Sequence, residues 1–370
     1  MTTDAQHPDA ALDPVAPNLA PGPKYHTQTR LWQGIPSVER TPDGVFWATW
    51  YTGGKTEDPD NYSLIVRSED GGETWSEPVL VVDPPGKVRA FDPTLWTDPL
   101  GRLWFFWAQS HEMFDGRVGV WMIHCADPAA ASKQWSAPRR LTNGIMLNKP
   151  TVLSTGEWLF PTALWAPSAW LTPDNPVFGA HPELDGERFS SVYVTHDQGE
   201  TFVVLGCADV PERVFDEHMI VERRDRSLWM LVRTIYGIGE SISTDGGRVW
   251  GPGRDSGLGG PCSRFFIRRL QSGRLLLVNH YEFSGRNNLT ALLSEDDGAT
   301  WPHRLLLDAR SDVSYPDGFQ APDGTLHVIY DRERYGAKEI LLASFAEEDV
   351  LAGEAVSAAC RLQRLVSKIG

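Results

Sequence analysis

A short motif of the form Ser/Thr-x-Asp-x-Gly-x-x-aromatic occurs four times along the chain. The copies begin at Ser68, Thr195, Ser243 and Ser294, and each ends in tryptophan or phenylalanine. Asp and Ser/Thr side chains bond nearby backbone N–H groups, glycine permits a positive φ, and the aromatic ring packs under the turn. Each copy therefore predicts a stabilised hairpin turn, and the recurrence predicts an array of similar units.

Six further turns each precede a short apolar run with the residue types of a β-strand, such as VFWATWY after residue 44. These turns lie near residues 43, 100, 155, 225, 272 and 323, so that they are 47 to 70 residues apart. A four-stranded antiparallel blade needs about that much chain. The pattern predicts an all-β fold, a six-bladed β-propeller. A β-sandwich with irregular hairpins would not explain the fixed order of hairpin, strand and motif.

The strand before each of the six turns is expected to be the innermost of its blade and to line the central channel. These strands are expected to begin near Gly34-Ile35-Pro36, Phe91-Asp92-Pro93, Asn148-Lys149-Pro150, Asp216-Glu217-His218, Cys262-Ser263-Arg264 and Ser314-Tyr315-Pro316. Four of the six place proline at the same point, which the start of a strand tolerates. Because these points converge at one mouth of the channel, we expect the ligand site there. Long, charged loops such as residues 164–189 point to the same end.

The chain is predicted to contain one propeller domain, at residues 25–370. Residues 1–24 are rich in proline, alanine and aspartate and are expected to be flexible. Residues 25–32 are predicted to supply a strand that closes the last blade against the first and so removes an open edge. Residues 338–345 are predicted to form a strand, followed by one helical turn at 346–351.

The charge of the chain limits the partners that it can have. Asp and Glu outnumber Lys and Arg by 49 to 34, for a formal net charge of −15. Nucleic acids and anionic membranes reward basic surfaces, so neither is an expected partner. The four cysteines lie far apart and are expected to be free thiols in a reducing compartment. No signal peptide or transmembrane run is visible, and the expected location is cytoplasmic.

No cofactor is expected from the sequence. The ten histidines show no close metal-ligand spacing. The glycine-rich segments near residues 237 and 257 lack a phosphate-binding pattern. The polar residues at the inner strands are the better candidates for chemistry. Arg233 ends an apolar run, and since a buried guanidinium without a partner is costly, it should face a partner or the channel. His218 fits either acid–base chemistry or a hydrogen-bonded inner histidine.

The repeats and the order of residues at the channel mouth resemble the sialidase superfamily over about residues 30–346. The four repeated motifs are similar to that family's Asp-boxes, which lie on the periphery and are structural. Sialidases carry a glutamate that opens blade four, an arginine about fifteen residues later, an arginine in blade five and a tyrosine that opens blade six. Glu217, Arg233, Arg286 and Tyr315 match these positions in order. The chain departs from the pattern in blade one, where Gly34 stands in place of the arginine of an Arg-Ile-Pro strand.

The resemblance implies a role for each matching residue. Tyr315 would be the nucleophile and Glu217 its base, and Asp58 or Asp60 would protonate the leaving group. Tyrosine suits an anionic sugar because the charge of the substrate would repel a carboxylate nucleophile. Arg233 and Arg286 would bind the substrate's carboxylate, bidentately where the geometry allows.

The positive charge that Gly34 lacks would have to come from another blade. Lys149, Arg264 and Arg332 are the candidates, and Lys149 is favoured because it opens an inner strand. Asp92, at the beginning of the second inner strand, is assigned with Lys149 and Arg264 to substrate binding.

The leading hypothesis for function is a sialidase-like exo-glycoside hydrolase that acts with retention on a terminal acidic or related sugar. One alternative is a polysaccharide lyase, in which Tyr315 or His218 abstracts a proton next to a uronate carboxylate. A third hypothesis is a non-catalytic carbohydrate-binding propeller. All three give the protein a carbohydrate partner, and none specifies its oligomeric state.

Overall fold

The apolar runs pair with one another in chain order. The computed structural model describes residues 7–166 and 181–370. It contains six four-stranded antiparallel sheets, and each sheet is built from four consecutive strands. The prediction of a six-bladed β-propeller is confirmed. No helix in the described ranges is long and apolar enough to cross a membrane.

The first three blades span the N-terminal half of the chain. Blade one contains β1 (Trp32–Arg40), β2 (Phe46–Gly53), β3 (Tyr62–Ser68) and β4 (Leu80–Val82). Blade two contains β5 (Val88–Thr97), β6 (Leu103–His111), β7 (Gly119–Cys125) and β8 (Arg139–Thr142). Blade three contains β9 (Thr151–Val152), β10 (Trp158–Ala163), β11 (Ser190–Thr195) and β12 (Val203–Ala208).

The last three blades complete the ring. Blade four contains β13 (Met219–Glu222), β14 (Leu228–Thr234), β15 (Gly237–Ser243) and β16 (Arg254–Asp255). Blade five contains β17 (Phe266–Arg269), β18 (Leu275–His280), β19 (Leu289–Ser294) and β20 (His303–Asp308). Blade six contains β21 (Val313–Gln320), β22 (Leu326–Arg332), β23 (Glu339–Phe345) and β24 (Arg361–Lys368).

The helical elements of the described ranges are short. Four 3-10 helices span Pro8–Leu12, Pro23–Tyr25, Thr27–Thr29 and Pro182–Glu187, and an α-helix, α1, spans Glu347–Ala352. The predicted strand and helical turn near the C-terminus correspond to β23 and α1. Within the loop at residues 164–189, residues 167–180 lie outside the described part of the chain.

Each Asp-box closes its own hairpin turn. In the copy at Ser243, the hydroxyl donates to Asp245 Oδ1 over 2.8 Å and accepts the N–H of Gly247 at 2.9 Å. Gly247 has a φ of 93°, a conformation that favours glycine. The same side-chain and backbone hydrogen bonds recur at Ser68, Thr195 and Ser294.

The glycine of each Asp-box also lies against the preceding blade. A Cβ placed on Gly298 in blade five would be 2.5 Å from the ring of Trp229 in blade four. A Cβ on Gly72 in blade one would be 2.8 Å from Leu342 in blade six. Gly199 and Gly247 make the corresponding contacts with blades two and three. The repeated motif therefore has two structural roles. It closes a local hairpin turn, and its glycine packs against the preceding blade.

The ring is closed by side-chain contacts between complete blades. Residues 25–32 were predicted to add a closing strand, and this prediction is wrong, because half of them belong to two 3-10 helices and the fourth strand of blade six is β24. Blades one and six instead meet through Gln33, whose amide donates to the carbonyl of Lys338 over 2.7 Å. Ser37 adds a hydrogen bond of 2.7 Å to Asp317.

Part of the N-terminal segment is fixed to blade two. Ala10 and Ala11 are buried, and the side-chain amide of Gln109 donates to the carbonyls of Ala11 and Asp13, each over 2.9 Å. The composition of residues 1–24 predicted a flexible segment. The contacts of Ala10, Ala11 and Asp13 show that this part of it packs against the propeller instead. The four cysteines are free thiols, as predicted.

Candidate active site

Three inner strands contain a bulge at the same place, and each bulge presents one side chain at the channel mouth. The register shifts within β1, β5 and β21, at Ile35, Asp92 and Tyr315, with φ values of 59°, 46° and 57°. A proline follows each of them. The expectation that these prolines mark strand starts was wrong for the three blades, since each strand begins three to five residues before its proline. Bulges commonly redirect a side chain next to a functional site.

Blade four reaches the same mouth through a strained segment rather than a bulge. Phe215, Asp216 and Glu217 all have positive φ, at 59°, 50° and 43°. Non-glycine residues in this region cost about 1–3 kcal/mol each, and such strain is concentrated at functional sites. The neighbouring strand holds the segment, because Arg233 N–H donates to the carbonyl of Asp216 over 2.8 Å.

Tyr315, Glu217 and Arg233 form a closed hydrogen-bonded triangle. The hydroxyl of Tyr315 donates to Glu217 Oε1 over 2.9 Å. Arg233 Nη1 lies 2.6 Å from the same carboxylate oxygen and 2.9 Å from the tyrosine oxygen. Glu217 and Arg233 are at most 5% exposed. Glu217 Oε2 is buried and has no hydrogen-bond partner among the described residues. The structure thus brings together three predicted site residues from blades four and six.

The electrostatics of the triangle keep the hydroxyl of Tyr315 protonated at neutral pH. Burial raises the pKa of the Tyr315 hydroxyl to about 12, against the lowering effect of Arg233. Burial alone would lower the pKa of the Arg233 guanidinium, but Glu217 and Tyr315 raise it above its usual value. A charged guanidinium is therefore fixed beside a neutral phenol. The carboxylate that can accept the proton of that phenol lies next to both groups.

Two further guanidinium groups lie over the ring of Tyr315. The Cζ atom of Arg334 is 4.2 Å from the ring centroid, and that of Arg286 is 5.5 Å from it. Arg286 donates to the carbonyl of Cys262 over 3.2 Å and has no carboxylate partner among the described residues. Within residues 7–166 and 181–370, the guanidinium of Arg286 is therefore available to an anionic ligand beside the ring of Tyr315.

Asp92 lies in the same cluster of charges. Burial and the negative charges of Glu57 and Glu217 raise the pKa of this carboxyl to about 7, although the positive charges of Arg89 and Arg334 oppose the rise. A carboxyl group with this pKa keeps its proton in mildly acidic solution and is about half protonated at neutral pH. It has the property that a general acid requires.

The two acids predicted in the blade-one loop have different surroundings. Asp58 accepts the backbone N–H of Thr56 at 3.2 Å and that of Asp60 at 3.0 Å, so its carboxylate organises its own loop. Asp60 lines a cavity with Lys24 and Asp83. Glu57, the third acid of this loop, forms an ion pair of 3.1 Å with Arg334 and so belongs to the site.

The cations expected to replace the missing arginine are occupied inside the channel. Lys149 Nζ lies 3.0 Å from Asp317 and donates to the carbonyls of Val38 and Leu95. Arg264 also pairs with Asp317, at 3.4 Å. These contacts join inner strands of several blades around a fully buried carboxylate, which is a structural arrangement. Arg332 contacts Glu333 and Glu339 instead of the mouth.

His218 has the surroundings of a hydrogen-bonded inner histidine. Its Nε2 lies 2.8 Å from the carbonyl oxygen of Ser191, and burial lowers its pKa to about 4. Metal ligation has no geometric support either. Among residues 7–166 and 181–370, no group of three or more His, Cys, Asp or Glu side chains is arranged to hold a metal ion.

Arg334 and Glu57 are the site residues to which sequence reasoning gave no individual role. Arg334 lies in a charged loop between β22 and β23, where nothing local distinguishes it from Arg332. Glu57 is one of three acids within four residues, and only its partner separates it from Asp58 and Asp60. Both roles depend on a contact between blades one and six, which adjoin in space but lie at opposite ends of the chain.

Comparisons with known proteins agree with this architecture. The family model described as "BNR repeat-like domain" matches residues 44–328. The chain belongs to this BNR repeat-like family. Among curated proteins, this BNR-repeat chain is 26% identical to a sialidase of Micromonospora viridifaciens over 341 residues, covering 80% of the chain and 49% of the relative. A sialidase of Bacteroides fragilis is 24% identical over 311 residues, covering 72% and 53%.

The BNR-repeat chain spans about half the length of these two curated relatives. Among solved structures, it is similar to the Hadza microbial sialidase Hz136 with a TM-score of 0.67 and 18% identity, over 88% of this chain and 67% of that one. The similarity supports a sialidase-like propeller fold, and the chain is a sialidase-like member of its superfamily.

Proposed function

We propose that the protein is an exo-glycoside hydrolase of sialidase type that removes a terminal acidic sugar with retention of configuration. The observation that carries the proposal is the 2.9 Å hydrogen bond from the Tyr315 hydroxyl to Glu217, made beside Arg233. A buried tyrosine in contact with a carboxylate base has the geometry of an activated nucleophile. The sialidases similar in sequence support the same reaction class.

In the first half of the reaction, the oxygen of Tyr315 attacks the anomeric carbon while the bond to the leaving-group oxygen breaks. The tyrosine proton moves to Glu217, which already accepts its hydrogen bond. Because the pKa of Tyr315 is raised to about 12, proton removal must accompany the attack rather than precede it. Arg233 stabilises negative charge as it develops on the tyrosine oxygen.

The leaving-group oxygen needs a proton, and three carboxyl groups are candidates to supply it. Asp58 and Asp60 are the donors that the family resemblance implies. Asp92 is supported by its environment, since its pKa of about 7 keeps a proton available at neutral pH. Substitution of each by asparagine distinguishes them, because the true donor is needed least when the leaving group is a good one, such as 4-methylumbelliferone.

In the second half, water attacks the anomeric carbon of the glycosyl-tyrosine intermediate. The donor now accepts a proton from water, and Glu217 returns its proton to the tyrosine oxygen as the bond breaks. Two displacements at one carbon give net retention.

The preference for an acidic sugar follows from the charges around Tyr315. Arg233 lies 2.9 Å from its oxygen, and Arg286 lies over its ring without a carboxylate partner among the described residues. A neutral phenol can approach an anionic sugar without the repulsion that a carboxylate nucleophile would meet. The two arginines supply a binding site for the sugar's carboxylate.

The geometry favours hydrolysis over a lyase that uses His218 as its base and over a non-catalytic binding protein. A lyase that used His218 as its base would need an accessible imidazole, whereas this ring is buried against the carbonyl of Ser191. A non-catalytic binding protein would not need a carboxylate in hydrogen-bond contact with a buried tyrosine hydroxyl, whereas an activated nucleophile does.

Release of 4-methylumbelliferone from its α-sialoside tests the proposal. Wild-type protein should release it, and Tyr315→Phe should not. Tyr330→Phe is the matched control, because Tyr330 is a buried tyrosine of the same blade whose hydroxyl donates to Asp308 instead. Equal turnover by wild type and Tyr315→Phe would exclude Tyr315 as nucleophile. Appearance of ultraviolet absorbance from an unsaturated uronate, with no sialoside cleavage, would favour the lyase.

A further inference from the structure

Gly34 leaves a space in blade one, and the side chain of Arg334 fills it. A Cβ placed on Gly34 would be 2.7 Å from Arg334 Cδ, 3.0 Å from its Nε and 3.1 Å from its Cγ. Real Cβ atoms do not approach other atoms so closely, so a side chain at position 34 and the present side chain of Arg334 exclude each other.

The guanidinium of Arg334 is held from both sides of the junction between blades one and six. Its Nε donates to Asp331 Oδ2 over 2.8 Å, and the backbone N–H of Ile35 donates to the same oxygen, also over 2.8 Å. One buried carboxylate of blade six thus aligns Arg334 with the residue that follows Gly34. A further donated bond of 3.3 Å reaches the hydroxyl of Ser314.

The position of Arg334 completes a set of three cations around one phenol. Arg233 reaches the hydroxyl of Tyr315 from blade four, Arg286 lies over the ring from blade five, and Arg334 lies over it from blade six. The side chain of Arg334 is 10% exposed. It is therefore close to fully desolvated, yet it still has surface that a ligand can contact.

The two carboxylate partners of Arg334 differ in exposure. Asp331 is 1% exposed, and its contacts with Ile35 and Ser314 make it part of the scaffold. Glu57 is 34% exposed and lies on a loop of the mouth. A ligand carboxylate can replace Glu57 on Arg334 while Asp331 stays in place, so the guanidinium remains paired throughout.

We propose that Arg334 replaces the blade-one arginine that Gly34 lacks, and that it binds the carboxylate of the sugar together with Arg233 and Arg286. This inference rests on the proposed function in one respect, that the ligand is an acidic sugar. It assigns a specificity role to a residue of blade six, and it makes the identities of positions 34 and 334 depend on each other.

The binding test compares a charged ligand with a neutral one of the same shape. The probes are 2-deoxy-2,3-didehydro-N-acetylneuraminate, its methyl ester and D-glucuronate, titrated calorimetrically into wild type, Arg334→Ala and Arg334→Lys. Arg334→Ala should weaken binding of the charged sialic acid analogue about 100-fold, since it removes one charge-assisted contact, and should change binding of the ester little. Arg334→Lys should recover part of the affinity. Arg361→Ala, in an exposed arginine of blade six, is the control.

The exchange test uses thermal unfolding of a double-mutant cycle. Gly34→Arg alone should lower Tm by several degrees, because the new side chain meets Arg334. In the Arg334→Ala background the same substitution should be tolerated. The double variant should also bind the charged analogue at least tenfold more tightly than Arg334→Ala does. A non-additive cycle supports the shared space without reference to any activity.

The outcomes separate this inference from the proposed function. If wild type cleaves the sialoside, and Arg334→Ala binds the charged analogue as tightly as wild type does, Arg334 is not a ligand residue and the hydrolase proposal stands. If wild type fails to cleave the sialoside but binds glucuronate in an Arg334-dependent way, the carboxylate site stands and the sialidase assignment falls. If wild type cleaves the sialoside but binds none of the charged probes, the Arg334 inference is wrong and the hydrolase proposal stands. If it neither cleaves the sialoside nor binds any charged probe, both proposals are wrong.

Discussion

Glu217 Oε1 is shared by the hydroxyl of Tyr315 and the guanidinium of Arg233, at 2.9 and 2.6 Å. One oxygen therefore accepts the hydrogen bond of the tyrosine that we propose as the nucleophile, and it is also the partner of a buried cation. The two roles predict that chemistry and stability are coupled at this residue.

Glu217→Gln should reduce kcat/KM for an aryl sialoside by about 10²- to 10⁴-fold, because the amide cannot take the proton of Tyr315. It should also lower the free energy of unfolding by about 3 kcal/mol, since Arg233 loses a buried carboxylate partner. Steady-state kinetics and urea denaturation measure the two effects. Glu295→Gln removes an exposed ion pair and should change neither by much. A fully active Glu217→Gln protein would exclude Glu217 as the base.

Asp92 should make the protein less stable as the pH rises. Its pKa is raised to about 7 in the folded state and is near 4 in an unfolded chain, so the folded state binds the proton more tightly. Its contribution to stability is fully present below about pH 4 and is lost as the pH rises to about 7. Asp92→Asn should therefore unfold at a higher temperature than wild type at pH 8, with the difference shrinking towards pH 4. A constant difference across this range would contradict the raised pKa.

The same pKa predicts the pH profile of the reaction if Asp92 is the proton donor. The logarithm of kcat/KM for a substrate with a poor leaving group, such as a sialyl disaccharide, should then fall above about pH 7. Asp92→Asn should remove this alkaline limb and leave activity towards the 4-methylumbelliferyl sialoside less affected. If the limb persists in Asp92→Asn and disappears in Asp58→Asn or Asp60→Asn, the donor lies in the blade-one loop.

Gly298→Ala should destabilise the propeller through the junction between blades four and five. The added Cβ would lie 2.5 Å from the ring of Trp229, and the residue has a φ of 92°. Gly324 has the same φ, and a Cβ added there would have no heavy atom within 4 Å, so Gly324→Ala carries only the backbone cost of about 1 kcal/mol. Urea denaturation should show Gly298→Ala to be the more destabilised by about 1–3 kcal/mol. Equal losses would mean that the Asp-box glycine acts within its own turn alone.

Lys149→Met should affect stability rather than substrate binding. It removes a cation 3.0 Å from the fully buried Asp317, and breaking such a pair lowers the free energy of unfolding by about 3–5 kcal/mol. The loss is smaller to the extent that Arg264, which also pairs with Asp317, compensates the charge. Lys24→Met removes an ion pair in which the lysine is 69% exposed, and should cost no more than about 1 kcal/mol. A rise in KM of the folded Lys149→Met protein, without loss of stability, would return Lys149 to the substrate site.

Much of the fold could be predicted because its signals are local. Hairpin turns, short apolar strands and the four Asp-boxes each depend on residues within about ten positions of one another, and their repetition specifies the number of blades. The prediction of a strand at residues 25–32 was wrong because closure of the ring is not a local property of the sequence. Closure of the ring depends on which distant segment offers the better partner, and here β24 completes blade six.

The candidate site could be predicted only in part. The order of Glu217, Arg233, Arg286 and Tyr315 along the chain was enough to nominate them, and the structure brings them together. Lys149 had the right charge at the right end of an inner strand, but whether it faces the mouth or Asp317 depends on the neighbouring blades.

The sequence alone therefore determined the repeating architecture, the positions of the nucleophile and base candidates, and the absence of an arginine at position 34. The tertiary structure alone decided which residue fills that space. Arg334 and Gly34 lie in the last and first blades, and only closure of the ring brings the side chain of one against the backbone of the other. Local propensity carries no information about such a contact, because its energy arises from packing and charge between segments that are distant along the chain.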